Sequence, residues 1–432
     1  MSDPHPNNQN DSSKSTQAPQ ILSAAFWRSP LAILFLALVT VGISRSMLFA
    51  VLPPIARELG FTEVLVGLMF AAAAGMFAIT SPLWGRLSDR VGRVRVIAIG
   101  LSGFGVFMML FTLAVATGLA VALPLWAIFL LMFVPRVASA AASAGVFPAA
   151  QAYVADTTSA RDRTSGTSMV AAAMGFGLIS GPGIAGLMSS YELLAPMYLA
   201  AALGIIGGIM AWRLLPEPPR TQAQKDEPRP KLKIRDRRII AMMPISMAIS
   251  MMVAVTQQTS AFYFQDILGL DAAGTARATG AALMMMAGAT LFVQTAIVQR
   301  LRLAPPVLIY GGLVLAVAAY VVLTMAASFW MLTTGLVMVG IAFGMANPGI
   351  SAAISLSVTP NEQGSAAGLN ASMSATGFMI GSLVGPGGYT LSPDLPHYFG
   401  LVALTIILAG ALFVRFPNPN KMPPIDPSDT PA

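Results

Sequence analysis

Long apolar runs alternate with short polar joints along the chain from Leu31 to Phe416. Since about 20 consecutive apolar residues let one helix cross a bilayer, each run is long enough to form a transmembrane helix. The twelve predicted spans are, in order, residues 31–52, 64–84, 94–117, 124–154, 167–188, 194–214, 240–264, 278–299, 306–326, 329–357, 366–390 and 398–416. The pattern predicts an all-α polytopic membrane protein.

The chain also divides into two related halves. A GxxxGPG pattern in span 5 recurs in span 11, and 204 residues separate its second glycines, Gly181 and Gly385. The positions of interest around it are Gly177, Gly181, Pro182 and Gly186 in span 5, and Gly381, Gly385 and Pro386 in span 11. Related halves around a central pathway are typical of alternating-access transporters, so we expect two pseudo-symmetric six-helix bundles.

The longest joint between spans separates these halves and is rich in proline and basic residues. We interpret it as a cytoplasmic linker, although binding of lipid headgroups or of a partner is an alternative. The expected organisation is a disordered cytoplasmic tail (1–25), an N-terminal bundle (26–214), the linker (215–239), a C-terminal bundle (240–416) and a cytoplasmic tail (417–432).

Charge placement predicts the orientation. Of the 25 Lys and Arg residues, 21 fall on one side if both termini are cytoplasmic, Arg57 and Arg277 fall on the other, and Arg45 and Arg136 lie within spans. This asymmetry follows the positive-inside rule. The net charge of +7 is therefore explained by topology rather than by nucleic-acid binding.

Composition narrows the chemistry further. Hydrophobic residues make up 56% of the chain and charged residues 10%, and there is no cysteine. Thiol catalysis and cysteine-based metal sites are thereby excluded, and no nucleophile–base pair, nucleotide loop or metal cluster is evident. We expect a protein that binds and changes conformation, with no enzyme activity, metal or cofactor.

The joint after span 2 carries glycines and charges at regular spacing. It reads Gly85-Arg-Leu-Ser-Asp-Arg-Val-Gly-Arg-Val-Arg95, and the candidate gating residues within it are Gly85, Asp89, Arg90, Gly92 and Arg93. Glycines permit a tight turn, and the carboxylate and arginines can form a charge-assisted network. This segment resembles the signature between helices 2 and 3 of the major facilitator superfamily. The resemblance implies that Asp89 contacts the start of helix 11 when the inner gate is shut.

Span 4 and its exit, with Arg136, Asp156 and Arg163, also resemble this family, and with the glycine pattern of span 5 they are closest to the drug:proton antiporter branch that includes the tetracycline exporters. The resemblance implies gating roles for Asp156 and Arg163, and proton-coupled export. It has one gap, because those exporters carry an acidic residue early in helix 1 where this chain has Val39.

Charged residues inside a membrane usually face a cavity, and here both, Arg45 and Arg136, are cationic. A positive pathway favours anionic or zwitterionic substrates, whereas snorkelling or a structural tie is the alternative for each arginine. The other candidates for substrate binding or proton coupling are Gln257, Gln258, Gln294, Asn347, Asn370 and Asp266. The neutral ones could equally bridge helices.

The sequence thus predicts a secondary transporter, with proton-coupled efflux of small organic molecules as the first hypothesis. An organic-anion:proton symporter is the alternative, and a transporter-like sensor or scaffold is a third. The expected partners are a small-molecule substrate, protons and membrane lipid, and not nucleic acid. We expect a monomer in a bacterial inner membrane with both termini cytoplasmic.

Overall fold

The computed structural model shows twelve helices in the part of the chain that it describes. The structure describes residues 29–158, 163–218, 232, 236–301, 303–359, 362–414 and 416–417, and within them it is all-α without strands. The helices are α1 (Pro30–Glu58), α2 (Glu63–Val91), α3 (Arg93–Ala120), α4 (Leu125–Thr157), α5 (Arg163–Met188), α6 (Ala195–Leu214), α7 (Met243–Leu268), α8 (Ala272–Leu301), α9 (Pro305–Thr324), α10 (Phe329–Leu356), α11 (Gln363–Leu391) and α12 (Leu395–Ala411). The predicted all-helical membrane fold is confirmed.

Nine of the helices in the described residues are long and apolar enough to cross a membrane by themselves. The other three are α12, which is apolar but short, and α7 and α11, which are long but rich in Gly, Ser, Thr and amide side chains. Polar residues are tolerated in spanning helices that face protein or a water-filled pathway. The lower hydropathy of α7 and α11 thus indicates that both lie at the centre of the bundle.

The predicted tails and most of the predicted linker lie outside the described residues. The described helices pair mainly within each half, as α1 with α5 and α6, α3 with α4 and α6, α7 with α11, and α9 with α10. The helix before the predicted linker, α6, packs on α1 and α3, whereas the helix after it, α7, packs mainly on α11.

Two helices depart from regular α-geometry. In α4 the regular helix stops after Ser143 and resumes at Val146, next to a point where the Trp84 indole N–H of α2 donates to the Ala141 carbonyl at 2.7 Å. In α8 the segment Val293–Val298 is π-helical. Single π-helical turns inside α-helices are frequent at functional sites.

Repeated glycines bring the helices of each half close together. Gly177 of α5 lies against Gly42 of α1, and Gly381 of α11 lies against Met251 and Ala254 of α7. Close backbone approach at small residues is a principal means of helix association in membranes, where no hydrophobic effect drives it. The sequence repeat therefore corresponds to a structural one, with α5 on α1 and α11 on α7.

The halves contact each other through α2 with α11, α5 with α8, and α1 with α7 and α8. We call the end of the bundle with Arg57 and Glu63 the outer end, and the end with Asp89 the inner end. Gly67 of α2 packs on Pro386 of α11, and Gly280 of α8 packs on Pro182 of α5. These close approaches lie toward the outer end, where the halves are joined.

Candidate functional site

A central cavity of about 570 Å³ lies between the two halves. Its walls come from α1 to α5 of the first half and from α7, α8, α10 and α11 of the second. Pockets of about 300–1,000 Å³ suit drug-sized ligands. The cavity is mostly apolar, so its few polar groups define what it can recognise.

One wall of the cavity is cationic. Arg45 of α1 and Arg136 of α4 both line it, and each guanidinium lies over an aromatic ring: Arg45 over Phe77 at 4.5 Å and Arg136 over Phe70 at 5.5 Å, measured to the ring centroids. Cation–π contacts of this kind stabilise a guanidinium by roughly 0.5–2 kcal/mol without neutralising it.

The facing wall is polar but neutral. Gln257 of α7 and Gln294 of α8 line it together with Thr290, and Gln294 belongs to the π-helical segment. The structure therefore brings together four of the predicted binding residues, two arginines in the first half and two glutamines in the second.

Three other predicted polar residues lie away from the cavity lining, and two of them connect helices. The Gln258 side chain is buried and donates to the Ser382 hydroxyl of α11 at 3.3 Å. Asn370 of α11 donates to Ser351 of α10 at 3.4 Å. Asn347 of α10 is partly buried outside the lining. Gln258 and Asn370 thus have the bridging role that interhelical amides often have.

Asp266 lies in an ion-pair network at the outer end. Arg57 of α1 bonds Asp266 of α7 at 2.6 Å and Glu63 of α2 at 2.7 Å. The Tyr389 hydroxyl of α11 donates to Asp266 at 2.5 Å, and Arg57 lies 4.8 Å above the Phe262 ring. Among ion pairs of the described residues, Arg57–Asp266 is the pair that crosses between the halves.

The inner end shows a network within the first half. Arg93 bonds Asp89 at 2.5 Å and Asp156 at 3.1 Å, and 61% of the Asp89 side chain is exposed. The predicted contact of Asp89 with the start of helix 11 belongs to a state with the inner gate shut, and it stays a prediction. Arg90 lies in the last turn of α2, and the Arg163 side chain lies outside the described residues.

The two glycines of the inner joint have different roles. Gly85 lies inside α2, which continues to Val91 and so beyond the predicted end at residue 84. The turn is made at Gly92, whose φ of +121° is a backbone conformation that glycine adopts readily. A single residue thus connects α2 to α3.

Glu217 at the start of the linker occupies the space beside Gly92. Its carboxylate accepts the backbone N–H of Arg93 at 2.5 Å and of Val94 at 3.2 Å, which caps the N-terminus of α3. A carboxylate at this position accepts hydrogen bonds from the free N–H groups of the first turn, and its negative charge interacts favourably with the helix dipole. A Cβ built on Gly92 would lie 2.6 Å from a Glu217 carboxylate oxygen.

The second half has its own ion cluster at the inner end. Arg238 bonds Asp236 at 2.8 Å and Glu362, beside the start of α11, at 2.9 Å. The Arg238 hydrogen bond lowers the pKa of Glu362 from its ordinary value to about 2, with help from Thr359. The ion pairs of Arg93 and those of Arg238 therefore each stay within one half.

Sequence reasoning did not find the outer network or the Glu217 cap. Arg57 entered the sequence analysis only as a positive charge on the outer side, and Glu63, Tyr389 and Glu217 were not among the candidates. Their partners are distant along the chain, 209 residues away for Arg57 and Asp266. No local spacing signals such a contact.

Comparison with known proteins completes this picture. The family model described as Major Facilitator Superfamily matches residues 34–382 and again residues 296–431. The chain belongs to the Major Facilitator Superfamily. Multidrug resistance protein 1 of Bacillus subtilis is 28% identical over 382 residues, which cover 87% of this chain and 92% of that protein. Quinolone resistance protein NorA of Staphylococcus aureus is 25% identical over 393 residues, covering 90% and 96%.

The fold likeness extends to solved structures of transporters. A bacterial homolog of the human lysosomal transporter Spinster, in an inward-facing and occupied conformation, aligns with a TM-score of 0.72 at 16% identity and covers 90% of this chain and 97% of its own. As a member of the Major Facilitator Superfamily, the protein is an integral membrane secondary transporter and not an enzyme, which confirms the expectations from the sequence.

Proposed function

We propose that this protein exports small organic molecules in exchange for protons across a bacterial inner membrane. In this proposal both termini are cytoplasmic and the monomer is the working unit. Similar proteins named for multidrug resistance and quinolone resistance support export as the direction. The drug:proton antiporter motif on α5, with Gly177, Gly181, Pro182 and Gly186, agrees with that direction.

The observation that carries the proposal is the placement of one cavity between two halves that meet toward one end. The outer end is joined by the Arg57–Asp266 ion pair and by the glycine contacts of α2 and α8. At the inner end, the ion pairs of Arg93 and those of Arg238 each stay within one half. With the proposed orientation, the Arg57–Asp266 and glycine ties lie at the outer side, and we expect cargo to enter the cavity from the cytoplasm, where an exporter takes it up.

The strength of the outer ties suits a two-state device. Arg57 and Asp266 are partly exposed, with 21% and 43% of their side chains accessible, and such pairs contribute about 0.2–1 kcal/mol. Interactions of this size bias an equilibrium between conformations and still let it reverse within a transport cycle. An alternating mechanism needs ties of this kind at each end in turn.

Everted membrane vesicles test the proposal directly. With the vesicle interior made acidic, a fluorescent quinolone should accumulate inside vesicles that contain the protein, and a protonophore should abolish the accumulation. Vesicles without the protein are the control. Proton-driven uptake into right-side-out vesicles would instead establish the symporter, and the export proposal would then be wrong.

The inner network supplies a variant for the same assay. Asp89→Ala should bind substrate normally and transport it several-fold more slowly, because closure of the inner end depends on this carboxylate in the proposal. Glu192→Gln is a matched control, since Glu192 is an exposed acidic residue between α5 and α6 at the outer end. Normal transport by Asp89→Ala would remove Asp89 from the gating scheme.

A further inference from the structure

We propose that Arg45 and Arg136 form a subsite for a carboxylate or an equivalent organic anion within the central cavity. This inference rests on the proposed transport function and specifies which part of the substrate binds where. The acidic group of the cargo contacts the α1–α4 wall, and its apolar body lies toward α7, α8 and α11.

The first argument is unbalanced charge. Both arginines line the cavity, and no Asp or Glu lies among its lining residues in the part of the chain that the structure describes. Neither arginine takes part in an ion pair of the described residues. Two like charges in a membrane interior raise each other's energy. An anion bound beside them is attracted to both cations and also offsets their mutual repulsion.

The second argument is an unused hydrogen-bond donor. Arg136 Nε is buried and has no partner in the described structure, and Arg136 Nη1 has only a long contact of 3.4 Å to the Ser139 hydroxyl. Buried polar groups are nearly always satisfied. A guanidinium edge with a free Nε–H offers the planar fork that carboxylates accept.

The third argument is that the arginines are held in place without being neutralised. Phe77 and Phe70 lie against the two guanidinium groups, as described above, so the rings hold the cations in place while the Nε–H of Arg136 stays unpaired in the described structure. Arg45 lines the cavity, and its side chain is exposed. A preformed site of this kind needs little side-chain ordering on binding.

The opposite wall explains the other end of the ligand. Leu283, Met286 and Phe378 supply apolar and aromatic surface, and Gln257 supplies a neutral amide. A lipophilic cation would gain the apolar contacts but would meet repulsion from the arginines. The cavity therefore selects amphiphiles with one acidic group over cations of the same size.

Binding to the purified protein, without a proton gradient, tests the subsite separately from transport. The probes are a quinolone-type carboxylic acid without a basic amine and its methyl ester, which differ by one charge. Hydrogen bonds to charged groups are strong enough that the acid should bind wild type about tenfold more tightly than the ester, or better. Arg136→Gln should remove most of that preference and leave ester affinity within about twofold.

Further variants control for folding and for general charge. Arg45→Gln should weaken acid binding in the same direction, and Arg136→Lys should retain part of it, since a lysine keeps the charge and loses the fork. Arg300→Gln removes one exposed positive charge outside the cavity and should change nothing. Thermal unfolding of each variant identifies any that are misfolded.

The outcomes separate the subsite from the transport proposal. Equal binding of acid and ester by wild type, absence of measurable acid binding, or an Arg136→Gln variant that keeps the full preference overturns the subsite. If the vesicles then still export a quinolone ester, the transport function stands. If the acid binds as described but no gradient-driven export occurs, the export proposal fails and the subsite remains.

Discussion

Gly280 of α8 lies directly against the carbonyl oxygen of Pro182 on α5, and this contact joins the two halves. Its counterpart is Gly67 of α2 against Pro386 of α11. In both cases a helix of one half presents a glycine to the GxxxGPG motif of the other. The motif therefore serves two contacts, one with the first helix of its own half and one across the interface.

We expect Gly280→Val to push the outer ends apart. A Cβ at this position would overlap the Pro182 carbonyl, which is backbone and cannot rotate away. Overpacking of this kind costs about 1–3 kcal/mol, enough to shift a balanced equilibrium strongly toward the outward-open state. The natural chain has no cysteine, so Ala375→Cys in the cavity wall can report access uniquely. Labelling from outside by an impermeant maleimide should rise several-fold.

Gly288→Val is the matched control for this experiment. Gly288 lies on the same helix, two turns further along, and a Cβ there meets nothing within 4 Å. Outside labelling should match that of the parent cysteine protein. Equal labelling of the Gly280 and Gly288 variants would show that the α5–α8 contact does not hold the outer end shut.

Asp266→Asn should also favour opening at the outer end. The substitution removes the ion pair with Arg57 and weakens acceptance from Tyr389, while the side-chain size stays the same. Because the pair is partly exposed, its loss is worth up to about 1 kcal/mol, or a change of about fivefold in the conformational ratio. The same cysteine assay should detect this shift. Glu192→Gln, an exposed acid outside the network, should leave labelling unchanged.

The ion cluster of Arg238 and Glu362 should not contribute to the pH dependence of transport in the working range. The pKa of Glu362 is about 2, below its ordinary 4.5, so Glu362 is ionised and paired at any pH above 4.5. The stabilisation is lost only as the pH falls toward 2. Whatever Glu362→Gln does to the overall rate, the pH profile of transport between about pH 5.5 and 8 should keep its shape. A displaced profile would assign proton coupling to this cluster.

The helices were predictable because span length and apolar composition are local properties. Boundaries were less so: α2 runs on to Val91, beyond the predicted end at residue 84, and the chain turns only at Gly92, so that Asp89 and Arg93 pair across the turn. The π-helical turn around Gln294 also has no evident local signal. It became visible only with the cavity wall that it forms.

The site residues that could be predicted from the sequence are those with a charged side chain inside a span, because such a side chain is energetically costly in lipid. Arg45 and Arg136 were identified on that ground, and both line the cavity. The same reasoning could not separate Gln257, which lines it, from its neighbour Gln258, which bonds Ser382. Adjacent helix positions differ by about 100° in direction, so packing alone decides which side chain faces the pathway.

Gly92 and Glu217 connect the linker to the inner network. The carboxylate of Glu217 occupies the space that a side chain at Gly92 would need, and it caps α3 directly beside Arg93. Arg93 in turn holds Asp89 and Asp156. The start of the predicted linker and the candidate gating residues therefore meet at one helix N-terminus.

Gly92→Ala should therefore be disruptive for two separable reasons. The positive φ costs about 1–3 kcal/mol for a residue with a Cβ, and the carboxylate contact adds to that. Combining it with Glu217→Ala should relieve the contact and leave the backbone cost. The double variant should therefore lose less unfolding free energy than the sum of the losses in the two single variants. Gly85→Ala is the control, because it is helical with open space around it and should be neutral or slightly stabilising. Strict additivity in denaturant-induced unfolding in micelles would mean that Glu217 and Gly92 act independently.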